Sequence, residues 1–295
     1  MRLEDFYARY KTVQARSGEI GYFDSAEDRE GNHGVVLFLH GIGTNGYLWR
    51  NVIDLLQAER RCLAIDLPLH GRSPAAADQD FSFPGLAAVL EDFCEALGLT
   101  GIDLVGNDTG GGIAQVFAAR RHGLLRSLVL TNCEAHDNVP PPAFKASVQR
   151  AARGQIAPNA ARLLENLDLV RTGGELRRGY ENPERLSDET IRCYLRPVLG
   201  TQAAARQYER ALTSLEAEDL LAVEPELKKL PVPALIVWGN ADVFFETQWA
   251  YWLRDTLPGA REVVEIEGGK LFFPEERAAE LAECLRAHWA SLSDG

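Results

Sequence analysis

The chain has 295 residues, 46% of them apolar, and a formal net charge of −12. That length and apolar content supply one large core, and the acidic balance argues against nucleic acid or an anionic membrane surface as partner. Met1 to Lys11 is amphipathic and charged rather than a leader peptide, and no apolar run is long enough to cross a bilayer, so a cytoplasmic protein is expected.

In chain order, strands are predicted near 12–16 and 19–24 as a hairpin. A third, Val35-Val36-Leu37-Phe38-Leu39, runs into His40-Gly41-Ile42-Gly43. A helix near 48–57 follows, beginning in Tyr47-Leu48-Trp49-Arg50. A strand near 61–65 leads into Asp66-Leu67-Pro68-Leu69-His70-Gly71-Arg72-Ser73, and a helix is predicted near 84–97. The strand near 102–106 and the helix near 111–122 flank Asp108, and the strand near 127–131 leads into Asn132-Cys133-Glu134. From 135 to 228 the alternation breaks. Pro140-Pro141-Pro142 opens a strandless stretch of helical periodicity carrying Phe144, Tyr180, Tyr194 and Tyr208. Alternation resumes with a strand near 234–238 before Asn240-Ala241-Asp242, a helix near 247–256, a strand near 261–266 and a helix near 274–292. This order predicts an α/β fold: a mostly parallel eight-stranded sheet flanked by helices, with the first hairpin as its antiparallel edge.

The most informative stretch is Leu104-Val105-Gly106-Asn107-Asp108-Thr109-Gly110-Gly111-Gly112. An apolar strand passes through small residues into a helix, with one reactive side chain at the turn. Glycines suit such a turn because neighbouring Cβ atoms would clash with strand and helix. The side chain is lifted clear of the sheet beside a helix N-terminus, where negative charge is stabilised. Cys62, Cys94, Cys133, Cys193 and Cys284 lack metal-ligand spacing and read as reduced core residues; neither cofactor nor metal is expected.

Three strands ending near His40-Gly41, Asp108 and Asp242, with Phe273-Pro274-Glu275-Glu276 late in the chain, resemble the α/β-hydrolase superfamily. The similarity is to its haloalkane dehalogenase and epoxide hydrolase branch, whose nucleophile is aspartate. The resemblance implies a core of residues 1–134 and 229–295, with 135–228 as an inserted helical lid. It implies Asp108 as the nucleophile, forming an alkyl ester, and an oxyanion hole from the backbone N–H groups of Ile42 and Thr109. Asp242 is the implied triad acid and Glu134 an alternative acid. Trp49, Tyr180, Tyr194, Tyr208, His136 and Leu271 are expected to bind substrate.

The family's late histidine is the point of departure. Its loop here reads Glu267-Gly268-Gly269-Lys270-Leu271-Phe272-Phe273, so Lys270 or Leu271 takes the slot, depending on register. His40 and His70 sit in loops as in ordinary members, His33 in a polar loop, His122 at a helix end and His288 on a helix face. His136 is the one histidine expected near the site. Thr109 and Ile42 stand where dehalogenases hold halide with side-chain N–H groups, which argues against halide cleavage. The expected function is therefore an enzyme, monomeric or homodimeric, acting on a small apolar molecule of the epoxide, ester or lactone class, with Asp108 as nucleophile or general acid/base. A non-hydrolytic lyase, isomerase or cyclase and a silent ligand-binding relative are the alternatives. A raised pKa is expected for Asp108 beside Leu271, Phe272 and Phe273.

Overall fold

A computed structural model describes residues 1–26 and 34–292 of the chain. The apolar runs form eight strands: β1 (Tyr10–Ala15), β2 (Gly18–Asp24), β3 (Val35–Leu39), β4 (Arg61–Ile65), β5 (Ile102–Asn107), β6 (Leu125–Thr131), β7 (Ala234–Gly239) and β8 (Ala260–Ile266). They make one sheet in the order β1-β2-β4-β3-β5-β6-β7-β8. β2 pairs antiparallel with both β1 and β4, and every later pairing is parallel. β5 and β7 are buried along their whole length because helices cover both faces. The sheet is α/β with the expected antiparallel edge.

The helices of the core are α1 (Leu3–Ala8), α2 (Arg50–Leu56), α3 (Phe83–Ala96) and α4 (Thr109–Arg121). The first of these was not anticipated, yet its Phe6 is buried and stacks on Phe23 with ring centroids 4.7 Å apart. Ser82 caps α3 by accepting from the Gly85 N–H. Between β6 and β7 the chain forms α5 (Lys145–Ala152), α6 (Ala160–Glu165), α7 (Asp168–Thr172), α8 (Gly174–Gly179), α9 (Asp188–Leu199), α10 (Gln202–Thr213) and α11 (Ala217–Leu227), with no strand among the described residues. These helices share one apolar core with the sheet, and α11 packs on α4. α12 (Thr247–Thr256) precedes β8. The single helix expected over 274–292 is broken at Arg277 into α13 (Phe273–Glu276) and α14 (Ala278–Ser291).

The break has a physical counterpart. Glu275, in α13, is buried and salt-bridged to Arg50 of α2 at 2.6 Å. Its second oxygen accepts from the Tyr180 hydroxyl at 2.7 Å and the Tyr194 hydroxyl at 2.6 Å. Glu276 accepts from the backbone N–H groups of Glu181 and Asn182, while Phe272 N–H donates to Gly179 O. The chain after β8 is thus stapled to the helical segment by charge-assisted bonds out of water. Among the described residues, no helix is long and apolar enough to cross a membrane.

Removing one partner of a buried ion pair strands the other charge, at a cost of about 3–5 kcal/mol. Glu275→Ala should lose that much in urea denaturation, because Arg50 and both tyrosine hydroxyls lose their acceptor. A loss below about 1 kcal/mol would show that the network does not hold these elements together.

Candidate active site

The strand order reverses between β3 and β5, because β4 lies on one side of β3 and β5 on the other. Crevices beyond the carboxyl ends of strands at such a point are where open α/β sheets bind ligands. The loops after β3, β5, β6, β7 and β8 deliver His40-Gly41, Asp108, Glu134, Asp242 and Leu271 to that end.

Asp108 adopts φ 55° and ψ −136°, a strained conformation for a residue with a side chain. It persists because the turn has no room to relax. A Cβ on Gly106 would lie 2.6 Å from Gly110 O, and one on Gly110 would lie 2.5 Å from Leu39 O. Asp108 N–H donates to Asn132 O, and Asp108 O accepts from Gly111 N–H. The carboxylate lies directly against the Gly41 Cα, beside the loop that carries Ile42. This is the elbow expected from the glycine spacing.

Asp108 opens into a cavity of about 540 Å³, within the range of small-molecule sites. Ile42, Gly43, Glu134, Phe244, Phe245, Leu271 and Phe272 form walls from the core side. Phe144, Leu163, Leu195, Leu199 and Tyr208 form walls from the helical segment. A Cβ on Gly43 would lie 2.8 Å from the Tyr208 hydroxyl oxygen, so that hydroxyl reaches the glycine loop beside Asp108. Among the described residues, no histidine lines the cavity.

Three carboxyl groups gather here, and although Arg150 and Arg162 line the same cavity, no described cation counts among the influences on them. Burial pushes Asp108 well above the usual carboxylate range. The charges of Glu134 and Asp242 push the same way, and only the Thr109 N–H pulls it down. Burial raises Glu134 to about 7 and Asp242 to about 6. Asp242 is held by the Asn132 side-chain amide at 2.9 Å and the Phe244 N–H at 3.0 Å. Glu134 Oε1 accepts from the Thr109 hydroxyl at 3.3 Å, whereas Oε2 is buried with no hydrogen-bond partner. Among the described residues, no three His, Cys, Asp or Glu groups are disposed to hold a metal ion.

The structure brings together Asp108, Glu134, Ile42, Tyr208 and Leu271 on the cavity wall, with Asp242 and Thr109 buried beside them. Four residues expected at the pocket lie elsewhere. Trp49 is fully buried against Phe38, where the sheet packs on α2. Tyr180 and Tyr194 spend their hydroxyls on Glu275. His136, at φ 52°, sits between the rings of Trp249 and Trp252 with Asp137 and Glu224 at its nitrogens. His40 and His70 are structural. His40 Nε2 accepts from Leu67 N–H and His70 Nε2 from Gly43 N–H, with both imidazoles held neutral by burial. Cys133 is buried against Gly111 and its thiol is pushed up, which disfavours the reactive thiolate. His33 lies outside the described residues. Of the two residues at the register-dependent slot, Leu271 reaches the cavity, while the Lys270 ammonium turns to Tyr180 O at 3.2 Å. Sequence reasoning missed Asn132, which donates to Asp242, and Asn107, whose amide donates to Leu271 O at 3.0 Å. The aromatic pair Phe244-Phe245, two residues past Asp242, was a readable signal.

The α/β-hydrolase fold family matches residues 34–277. The chain belongs to this family, and its relatives make it a hydrolase-family enzyme. Epoxide hydrolase 3 of Xenopus tropicalis is 26% identical over 267 residues, covering 85% of this chain and 70% of the relative. A cis-3-alkyl-4-alkyloxetan-2-one decarboxylase of Xanthomonas campestris is 25% identical over 268 residues, covering 86% and 87%. The haloalkane dehalogenase DbeA of Bradyrhizobium elkani superposes with a TM-score of 0.78 at 21% identity, covering 97% of this chain and 98% of that one.

The carboxyl cluster makes stability fall with pH. A carboxyl whose pKa rises on folding binds more protons folded than unfolded, so stability is lost as pH climbs from about 4 through the folded value. Each unit of elevation costs about 1.4 kcal/mol once both states are ionised. Asp108→Asn should therefore melt higher than the parent protein at pH 8 and show a smaller loss of Tm between pH 5 and 8. Parallel Tm curves for the two proteins would contradict this account of the cluster.

Proposed function

We propose that the protein opens a small, apolar, strained oxygen ring, an epoxide or small lactone, with Asp108 as the nucleophile. The observation that carries this is the Asp108 carboxylate at a strained strand-to-helix turn, facing a largely apolar cavity. Two relatives add support, since one is named for epoxides and another for an oxetan-2-one, a four-membered lactone. A carboxylate attacks either ring at carbon, and ring strain drives the step. The Tyr208 hydroxyl would donate to the departing ring oxygen and the backbone N–H groups of Ile42 and Thr109 to developing oxyanions. Residues 135–228 act as a lid that excludes water from the carboxyl cluster. Leu271 takes the family's histidine position, and Asp242 behind it keeps the geometry of a triad acid with nothing to orient.

A second reading is favoured by the elevated Asp108. A protonated carboxylic acid beside Glu134 is suited to give a proton rather than to attack, which fits an eliminating or isomerising relative. The two readings separate on one measurement. Incubation with epoxides and β-lactones followed by intact mass should reveal an ester on Asp108 under the first reading, and product without an ester under the second. Ligand retained unchanged, with no product, would sink both.

Asp108→Asn should abolish turnover on either reading while sparing the fold. Asp242→Asn should cost less, because no imidazolium depends on it; equal losses would mean Asp242 acts directly. Leu271→His should raise hydrolysis of an epoxide by about 10²-fold or more, the typical worth of a positioned base. If Leu271 instead packs against the native ligand, that variant loses the native activity and gains none.

A further inference from the structure

An ester on Asp108 must be cleared, and among the described residues no histidine lines the cavity to activate water. Glu134 is placed for that task. It lies on the cavity wall with Asp108, and its side chain is 4% exposed. Its Oε1 accepts from the hydroxyl of Thr109, the residue whose N–H donates to the Asp108 carboxylate, so one residue ties both carboxyl groups. Its backbone carbonyl accepts from the Gln115 amide at 2.7 Å, which fixes the turn after β6. Oε2 is buried and has no hydrogen-bond partner, and only the Thr109 hydroxyl and the backbone N–H of Glu134 itself draw the carboxyl down. Asp242 is poorly placed by comparison, since both its oxygens already accept hydrogen bonds and it does not reach the cavity wall.

We propose that Glu134 is the general base that hydrolyses the Asp108 ester in place of histidine; this rests on the reading of Asp108 as nucleophile. Glu134 Oε2 takes a proton from a water molecule, whose oxygen bonds to Asp108 Cγ. The tetrahedral intermediate collapses with cleavage of the bond from Cγ to the alkyl oxygen. Glu134 returns the proton to that oxygen, releasing the alcohol, and Asp108 is left as a carboxylic acid that loses its proton to solvent before the next cycle. A carboxyl lifted to about 7 is a stronger base than an exposed one. The groups that face it are Asp108, uncharged once esterified, and the Thr109 hydroxyl. Cys133, preceding it in the chain, holds its proton, and the backbone N–H of Glu134 itself pulls its carboxyl down.

The test uses the full chain with styrene oxide and epoxyhexane as probes, following diol by chromatography and ester by intact mass. Glu134→Gln should still form the ester on Asp108 but clear it at least about 100-fold more slowly, so that the ester accumulates. Glu134→Asp should restore part of the clearance. A merely structural role would slow formation and clearance together. In the parent protein, ester decay should slow about tenfold per unit as pH falls below about 7, a readout independent of any variant's folding. If the parent protein makes diol through an Asp108 ester and Glu134→Gln clears it equally fast, Glu134 is not the base and the Asp108 reading survives. If the parent protein forms neither ester nor diol from these epoxides, the Asp108 reading falls and takes this one with it.

Discussion

The site depends on the crowding around the turn at Asp108. β5, α4 and the loop after β3 approach so closely that no side chain fits at Gly41, Gly106 or Gly110. That closeness holds Asp108 at positive φ, which no isolated aspartate would choose. Strain of this kind costs on the order of 1–3 kcal/mol and is met by the packing of the surrounding strands. Its consequence is position. The backbone aims the Asp108 Cα–Cβ bond at the loop that carries Ile42, and the carboxylate lies against Gly41 there.

A second constraint fixes the opposite wall. The loop after β8 has no strand to register it, so its position is set by the bonds of 272–277 to the segment around Gly179–Asn182 and by the Arg50–Glu275 pair. Asn107, one residue before Asp108, holds Leu271 by its carbonyl. Leu271 is therefore pinned from both sides: at its carbonyl by the Asn107 side-chain amide of the elbow, and through Phe272 by the helical segment. A residue held this firmly on the wall, with a side chain that can neither donate nor accept, makes the cavity apolar beside Asp108.

Much of this was legible in the sequence because the signals are local. The strands read as short apolar runs, and the elbow as glycines spaced around one acid, since clash at a turn depends on nearest neighbours. The roles of Trp49, Tyr180, Tyr194 and His136 were not legible. Each is a residue whose facing depends on how distant elements pack. Tyr208 and Tyr194 both lie on amphipathic helices of the same insert, yet one meets the cavity and the other Glu275, 81 residues away in sequence. Arg50 and Glu275 stood in two separate motifs with nothing local to pair them. The Lys270–Leu271 register was equally hidden, because a glycine-rich loop carries no periodicity; long-range hydrogen bonds from Asn107 and to Tyr180 decide it.

The charge balance of the site follows from the same substitution. In a full triad an imidazole sits between the nucleophile and the acid, and can carry positive charge between two negative ones. With Leu271 on the wall, burial raises Asp108, Glu134 and Asp242 alike and the charges of the other two push Asp108 further, against hydrogen bonds from Thr109, Asn132 and backbone N–H groups. Like charges packed this closely cannot all ionise, so the cluster retains protons near neutral pH. Among the described residues no histidine lines the cavity, so on the function proposed above the carboxyl groups would themselves carry the protons. On the proposed reading, attack by Asp108 would require that a proton leave first, and Glu134, whose charge raises Asp108, has a buried oxygen without a hydrogen-bond partner to receive one.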